Sequence, residues 1–569
     1  MKDLKLSNFK GKFISRTSHW GLTGKKLRYF ITIASMTGFS LFGYDQGLMA
    51  SLITGKQFNY EFPATKENGD HDRHATVVQG ATTSCYELGC FAGSLFVMFC
   101  GERIGRKPLI LMGSVITIIG AVISTCAFRG YWALGQFIIG RVVTGVGTGL
   151  NTSTIPVWQS EMSKAENRGL LVNLEGSTIA FGTMIAYWID FGFSYTNSSV
   201  QWRFPVSMQI VFALFLLAFM IKLPESPRWL ISQSRTEEAR YLVGTLDDAD
   251  PNDEEVITEV AMLHDAVNRT KHEKHSLSSL FSRGRSQNLQ RALIAASTQF
   301  FQQFTGCNAA IYYSTVLFNK TIKLDYRLSM IIGGVFATIY ALSTIGSFFL
   351  IEKLGRRKLF LLGATGQAVS FTITFACLVK ENKENERGAA VGLFFFITFF
   401  GLSLLSLPWI YPPEIASMKV RASTNAFSTC TNWLCNFAVV MFTPIFIGQS
   451  GWGCYLFFAV MNYLYIPVIF FFYPETAGRS LEEIDIIFAK AYEDGTQPWR
   501  VANHLPKLSL QEVEDHANAL GSYDDEMEKE DFGEDRVEDT YNQINGDNSS
   551  SSSNIKNEDT VNDKANFEG

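Results

Sequence analysis

The sequence predicts an all-α integral membrane protein whose twelve transmembrane helices form two pseudo-symmetric six-helix halves. Three observations lead there. Twelve apolar runs, each near the roughly 20 residues that cross a bilayer core as a helix, fall six and six on either side of a polar stretch. A charged loop, Gly101-Glu102-Arg103-Ile104-Gly105-Arg106-Lys107, has a near copy at Glu352-Lys353-Leu354-Gly355-Arg356-Arg357-Lys358, again between apolar runs. Only 18% of residues are charged, and 47 are Phe.

The first set of runs covers about 29–53, 76–100, 108–128, 132–157, 170–191 and 204–222. The second covers about 291–318, 328–351, 358–379, 389–413, 423–447 and 452–473. Gly, Ser, Thr and Asn within them suit helices that pack on one another or line a cavity. Two further echoes keep the order of the loop copies. Glu161 to Arg168 is answered by Glu414 to Arg421, and Pro224-Glu225-Ser226-Pro227-Arg228 by Pro474-Glu475-Thr476-Ala477-Gly478-Arg479. Three ordered echoes near one period indicate two related halves.

The expected domains are a basic cytoplasmic N-tail (1–28), a first half (29–222), a cytoplasmic central loop with short helices (223–290), a second half (291–473) and an acidic, Ser-rich, disordered cytoplasmic tail (474–569). In the central loop the Val256/Ile257/Val260/Leu263/Val267 spacing suggests an amphipathic helix. The N-tail reads as a solvated tail or a lipid contact. The C-tail reads as a spacer or as a platform for phosphorylation or ubiquitination machinery.

Lys and Arg set the orientation. The basic start, Arg103-Arg106-Lys107, Lys164 with Arg168, Lys353-Arg356-Arg357-Lys358, and Lys419 with Arg421 all fall on one side, the cytoplasm. Both termini are then cytoplasmic. Asn197 and Asn319 open glycosylation triplets on the other side.

Composition also excludes. The net charge of −5 is segregated along the chain, and nothing suggests a nucleic-acid binder. All nine cysteines lie inside proposed spans without metal spacing, so they read as packing residues. No metal set, nucleotide-binding loop or nucleophile–base arrangement appears, so neither an enzyme nor a cofactor is expected.

Polar residues inside a membrane are functional candidates. Asp45 in the first span has a natural partner in Arg141 of the fourth. A carboxylate beside an arginine stays charged, whereas in apolar surroundings it takes up a proton. The pair is therefore a proton carrier or a permanent structural ion pair. Glu87 and Glu175 are further candidates for titration. The seventh span carries Gln302, Gln303, Asn308, Tyr312 and Tyr313. Pro408-Trp409 lies in the tenth span, and Asn432-Trp433 with Asn436 in the eleventh. Neutral amides and phenols suit an uncharged polyhydroxy solute, or else they bond helix to helix.

These motifs together resemble the sugar-porter branch of the major facilitator superfamily over about residues 29–485. The carrying motifs are Phe42-Gly43-Tyr44-Asp45, Glu102 to Lys107, Gly140-Arg141, Glu161 to Arg168, Pro224 to Arg228, Gln302-Gln303 with Asn308 and Tyr312-Tyr313, Pro408-Trp409, Asn432-Trp433, and Pro474 to Arg479. The resemblance implies alternating access around a central site. It gives Asp45 and Arg141 the proton-coupling role, with a co-transported proton. It gives solute contacts to Phe42, Gln302, Gln303, Asn308, Tyr313, Trp409, Asn432 and Trp433. It makes Glu102, Arg103, Arg106, Glu161, Arg168, Glu352, Arg356, Arg357, Glu414 and Arg421 a cytoplasmic gate that braces the halves together when the site opens outward. Two departures bear on substrate. Gly176 stands where hexose and pentose carriers place a glutamine, and Leu405-Ser406 replaces the usual Gly-Pro. Within the branch the closest resemblance is to fungal plasma-membrane glycerol–proton symporters, which implies import of a small neutral polyol. A proton-linked or passive hexose carrier and a non-transporting sugar sensor are the alternatives.

Overall fold

A computed structural model describes residues 21–67, 72–128, 130, 132–163, 168–272, 280–282, 284–379, 383–417 and 420–506. The first half holds α1 (Gly24–Leu52), α2 (Arg73–Ile104), α3 (Arg106–Thr125), α4 (Ala133–Met162), α5 (Arg168–Phe193) and α6 (Val200–Lys222). Three shorter helices follow, α7 (Pro227–Ser232), α8 (Thr236–Asp247) and α9 (Glu254–His272). The second half holds α10 (Asn288–Phe304), α11 (Cys307–Val316), α12 (Tyr326–Leu354), α13 (Arg356–Val379), α14 (Lys383–Phe399), α15 (Leu407–Ile415), α16 (Arg421–Gln449) and α17 (Gly451–Phe472). Helices α18 (Leu481–Glu493) and α19 (Pro498–His504) end the described chain.

Each apolar run read from the sequence lies largely within one of these helices or helix pairs. The seventh span is α10 and α11, and the tenth is α14, a π-helical turn over Phe400–Leu404, and α15. Among the described residues, ten segments are long and apolar enough to cross a membrane on length and composition alone. The first span misses that measure because Gly, Ser, Thr and Asp45 dilute its apolar residues. The seventh misses it because its break leaves neither piece long enough. The first 20 residues and the acidic, Ser-rich stretch beyond 506 lie outside the described residues, but the tail expected to be disordered from 474 begins in order, with Ile484, Ile487 and Phe488 of α18 buried.

Polarity is inverted relative to a water-soluble protein. Asp45, Glu87, Arg141, Glu175 and Asp190 are buried, while Phe99, Ile119, Phe215, Phe349 and Leu464 are exposed on the outside. An apolar exterior around a polar interior is what lipid as solvent selects. In α9, Val256, Val260 and Val267 face inward as the spacing predicts, but Ile257 is exposed. It sits one residue, about 100°, off the buried stripe.

Each half closes on itself in the same way. Gly105 separates α2 from α3 at φ 101°, and Gly355 separates α12 from α13 at φ 81°. Side chains rarely adopt that conformation. A Cβ there would also stand 2.8 Å from Glu225 Oε2 and 2.7 Å from Glu475 Oε2, respectively. Those carboxylates cap the following helices. Glu225 accepts from the backbone N–H groups of Arg106 at 3.1 Å and Lys107 at 3.1 Å, and Glu475 from those of Arg356 at 2.8 Å and Arg357 at 3.1 Å. A negative group at a helix N-terminus satisfies orphan donors and opposes the helix dipole. Glu225→Ala and Glu475→Ala are each expected to destabilise the protein by about 1–2 kcal/mol, to similar extents. Thermal unfolding of the purified protein in detergent checks both.

Glycines also weld α2 to α4. A Cβ on Gly89 would lie 2.2 Å from the Val142 carbonyl oxygen, and one on Gly145 would lie 2.1 Å from that of Tyr86. Gly93 and Gly149 repeat the contact one turn on, against Val146 and Cys90. Only small residues let helix backbones come this close.

Candidate functional site

Asp45 on α1 and Arg141 on α4 meet in the first half. Arg141 Nη1 donates to Asp45 Oδ1 at 2.9 Å, and both side chains are at most 1% exposed. The guanidinium lies over the Tyr86 ring, 4.6 Å from its centroid, which adds a cation–π contact. The pairing supplies the counter-charge that a buried carboxylate requires. Asp45 Oδ2 and Arg141 Nε and Nη2 have no hydrogen-bond partner among the described residues.

The second half contributes a cluster of amides. The seventh span breaks at Thr305–Gly306, where Gly306 takes φ 94° and the Phe458 ring occupies the place of a Cβ. Asn462 Nδ2 donates to the freed Thr305 carbonyl at 3.1 Å. The break sets Gln303 and Asn308 beside the eleventh span. Gln303 Nε2 donates to Asn432 Oδ1 at 2.6 Å, and Asn308 Nδ2 donates to Gln303 Oε1 and Asn436 Oδ1, both at 2.7 Å. Phe42 of α1 meets Trp433 edge to face, with centroids 5.3 Å apart. All six side chains are buried. Neutral donors and acceptors bonded to each other are positions that solute hydroxyls can take over.

Other predicted solute contacts have different partners here. Gln302 Nε2 donates to the carbonyls of Leu404 at 2.7 Å and Leu405 at 3.2 Å, at the π-helical turn. Tyr313 donates its hydroxyl to the Val440 carbonyl at 2.9 Å. Trp409 is half-buried on α15, next to Pro408, whose carbonyl accepts from Gln299 at 2.8 Å. Gln302 and Tyr313 therefore hold the broken spans, and Gln302 touches the amide cluster only at its edge, its Oε1 accepting from Gln303 Nε2 at 3.5 Å.

The resemblance implies a gate that braces the halves together, whereas the ion pairs described here run inside each half. Arg106 holds Glu161 through Nε at 3.2 Å and Nη2 at 3.0 Å. Arg356 Nη2 holds Glu414 at 3.0 Å and its Nη1 lies 3.5 Å from Glu352. Arg357 donates to the Phe470 carbonyl at 2.8 Å and stacks near Trp499. The Glu102 carbonyl accepts from Trp229 Nε1 at 2.8 Å, and Arg103 ends α2 exposed. Arg168 and Arg421 begin α5 and α16, and the Arg168 side chain lies outside the described residues.

Away from this end, the halves join through contacts the sequence did not place. Tyr187 bonds Ser314 and the Ile311 carbonyl, and Tyr312 donates to Glu87. Nearer the basic end, Ser347 donates to Asn173 Oδ1 at 2.9 Å. A Cβ on Gly176 would lie 2.7 Å from Ser406 Oγ across the same seam. Glu175 is buried on α5. Of the two glycosylation triplets, Asn197 is exposed, while Asn319 commits its amide to the Leu324 carbonyl at 2.9 Å. The nine cysteines are unpaired.

The sequence profile described as "Sugar (and other) transporter" matches residues 30–488. The chain is 54% identical to the major facilitator superfamily transporter mfsA of Aspergillus fumigatus, over 89% of this chain and 94% of that one. It is 34% identical to the MFS-type transporter oryC of Aspergillus oryzae, over 87% and 92%. It is 28% identical to the hexose transporter HXT13 of Saccharomyces cerevisiae, over 85% and 86%. Among solved structures, the proton:xylose symporter XylE bound to 6-bromo-6-deoxy-D-glucose superposes with a TM-score of 0.69 at 23% identity, over 81% of this chain and 99% of that one. That likeness is one of fold, the twelve-helix major facilitator arrangement.

Proposed function

Because the chain belongs to the sugar (and other) transporter family of the major facilitator superfamily, we propose that it imports glycerol, a small neutral polyol, together with a proton. It is a multi-pass membrane carrier and not an enzyme. In this reading it works by alternating access in the plasma membrane with both termini in the cytoplasm. It needs no cofactor beyond the co-transported proton, and its acidic tail is open to phosphorylation or ubiquitination.

One observation carries the reading. Phe42 and Asp45 are three residues apart on α1 and share a face of it. The first meets the amide and tryptophan cluster, and the second meets Arg141. In this reading, solute and proton chemistry sit within one turn of the same helix. Gly176 supports the small solute, because glycine there lets Ser406 approach where a longer side chain would hold the halves apart. A hexose is the second reading. It is favoured by the intact second-half amides and by relatives named as hexose or glucose transporters.

The test is external pH in a lightly buffered suspension of cells expressing the chain, recorded as glycerol and then, separately, glucose is added. Alkalinisation with glycerol alone is expected. Alkalinisation with glucose alone would transfer the reading to hexose. Saturable entry without a pH change would remove the proton.

A further inference from the structure

Glu87 lies on α2, next to the tyrosine under Arg141, and the reading above leaves it unused. It is fully buried. Tyr312, from the other half, donates its hydroxyl to Oε1. Oε2 faces the side-chain amide of Asn436 and interacts with it, and neither Oε2 nor Asn436 Nδ2 completes a close hydrogen bond with any described residue. Asn436 belongs to the amide cluster through Asn308. The same carboxylate also interacts with Arg141 and Asp45. Glu87 therefore interacts with both the charge pair and the amides.

The titratable groups around Glu87 come from four helices. They are Asp45 of α1, Cys85, Tyr86 and Cys90 of its own helix, Arg141 of α4, and Tyr312 with Tyr313 of α11. Arg141 is the one cation in that set. Two carboxylates against one guanidinium leave one net negative charge, which a dry site holds poorly. One proton neutralises the group, and in such a coupled set it belongs to the pair of acids and not to either alone.

We propose that Glu87 is a second coupling carboxylate, which shares one proton with Asp45 around Arg141 and senses the solute through Asn436 and Tyr312. A solute hydroxyl placed between Asn436 and Glu87 accepts from Nδ2 and donates to Oε2, filling both unpartnered positions. The Tyr312 bond crosses the seam between the halves, so it forms only when that part of the seam is closed. The inference rests on the proton-coupled reading and deepens it.

The test uses the full chain reconstituted in vesicles, with labelled glycerol and, in parallel, labelled glucose. For Glu87→Gln, exchange at equal pH is expected to persist at a reduced rate. Accumulation driven by a pH gradient falls at least ten-fold, and KM loses its dependence on external pH between about 5 and 8. Glu87→Asp restores part of that dependence. Tyr312→Phe keeps accumulation but moves the pH of half-maximal uptake by half a unit or more toward alkaline values, because a bond to the ionised form is lost. Accumulation by Glu87→Gln with the wild-type pH profile overturns the proposal. If that variant does not fold, an unmoved midpoint in Tyr312→Phe overturns it. A wild-type protein without proton-driven accumulation overturns the proton-coupled reading and this inference together. Loss in Asp45→Asn alone, with Glu87→Gln unaffected, removes only the second acid.

Discussion

Asp45→Asn is expected to abolish accumulation against a gradient while exchange and downhill entry stay measurable. The amide keeps the shape of the carboxylate and can still accept from Arg141, so the helices keep their packing. What it cannot do is take up and release a proton in the working pH range. Each pH unit across the membrane supplies about 1.4 kcal/mol per proton, or about ten-fold in accumulation. A two-unit gradient therefore drives up to roughly 100-fold accumulation in the wild type, and the variant is expected to stop near equality. The steady-state ratio of labelled solute inside and outside vesicles, with and without an imposed gradient, measures this directly. Retained pH-driven accumulation would remove Asp45 from coupling.

Arg141→Leu carries the largest expected cost in stability. Asp45 and Arg141 are both at most 1% exposed, and stripping one partner from a buried pair typically costs about 3–5 kcal/mol. The cost is compounded because Glu87 loses the same cation. Little folded protein is expected to reach the membrane. Combining the change with Asp45→Asn removes one of the two stranded carboxylates and is expected to recover part of the yield. The monodisperse fraction after detergent extraction reads both variants. A single variant as abundant and as heat-stable as wild type would mean that Asp45 is uncharged in the folded protein.

How much of this was legible in the sequence depended on the reach of each interaction. The two halves were legible because Gly105 with Arg106 and Gly355 with Arg356 are local cassettes, repeated intact. The Asp45–Arg141 pair was legible because few charges lie inside the spans and opposite ones must meet. Gln302 and Gln303 are neighbours in the chain, yet successive helix residues point about 100° apart. One therefore reaches Asn432 and the other the Leu404 carbonyl. Glu87 could not be placed because its bonded partner, Tyr312, is 225 residues away in the other half. The gate charges suggested a bridge between halves, but Arg106 and Arg356 each find a glutamate at the end of a later span of their own half. Charge patterning does not distinguish those two closures.

The glycine seam between α2 and α4 has a mechanical consequence. Tyr86 and Glu87 ride on one of these helices and Arg141 on the other, with backbones too close to slide past side chains. The welded pair is a stiff frame, in which Tyr86 and Glu87 keep their spacing from Arg141 for as long as the glycine contacts hold. What the weld does not fix are the contacts from other helices, Asp45 on α1 and Tyr312 across the seam. In the proton-coupled reading this frame is a fixed electrode, and a bulkier residue at Gly89 or Gly145 is expected to loosen it.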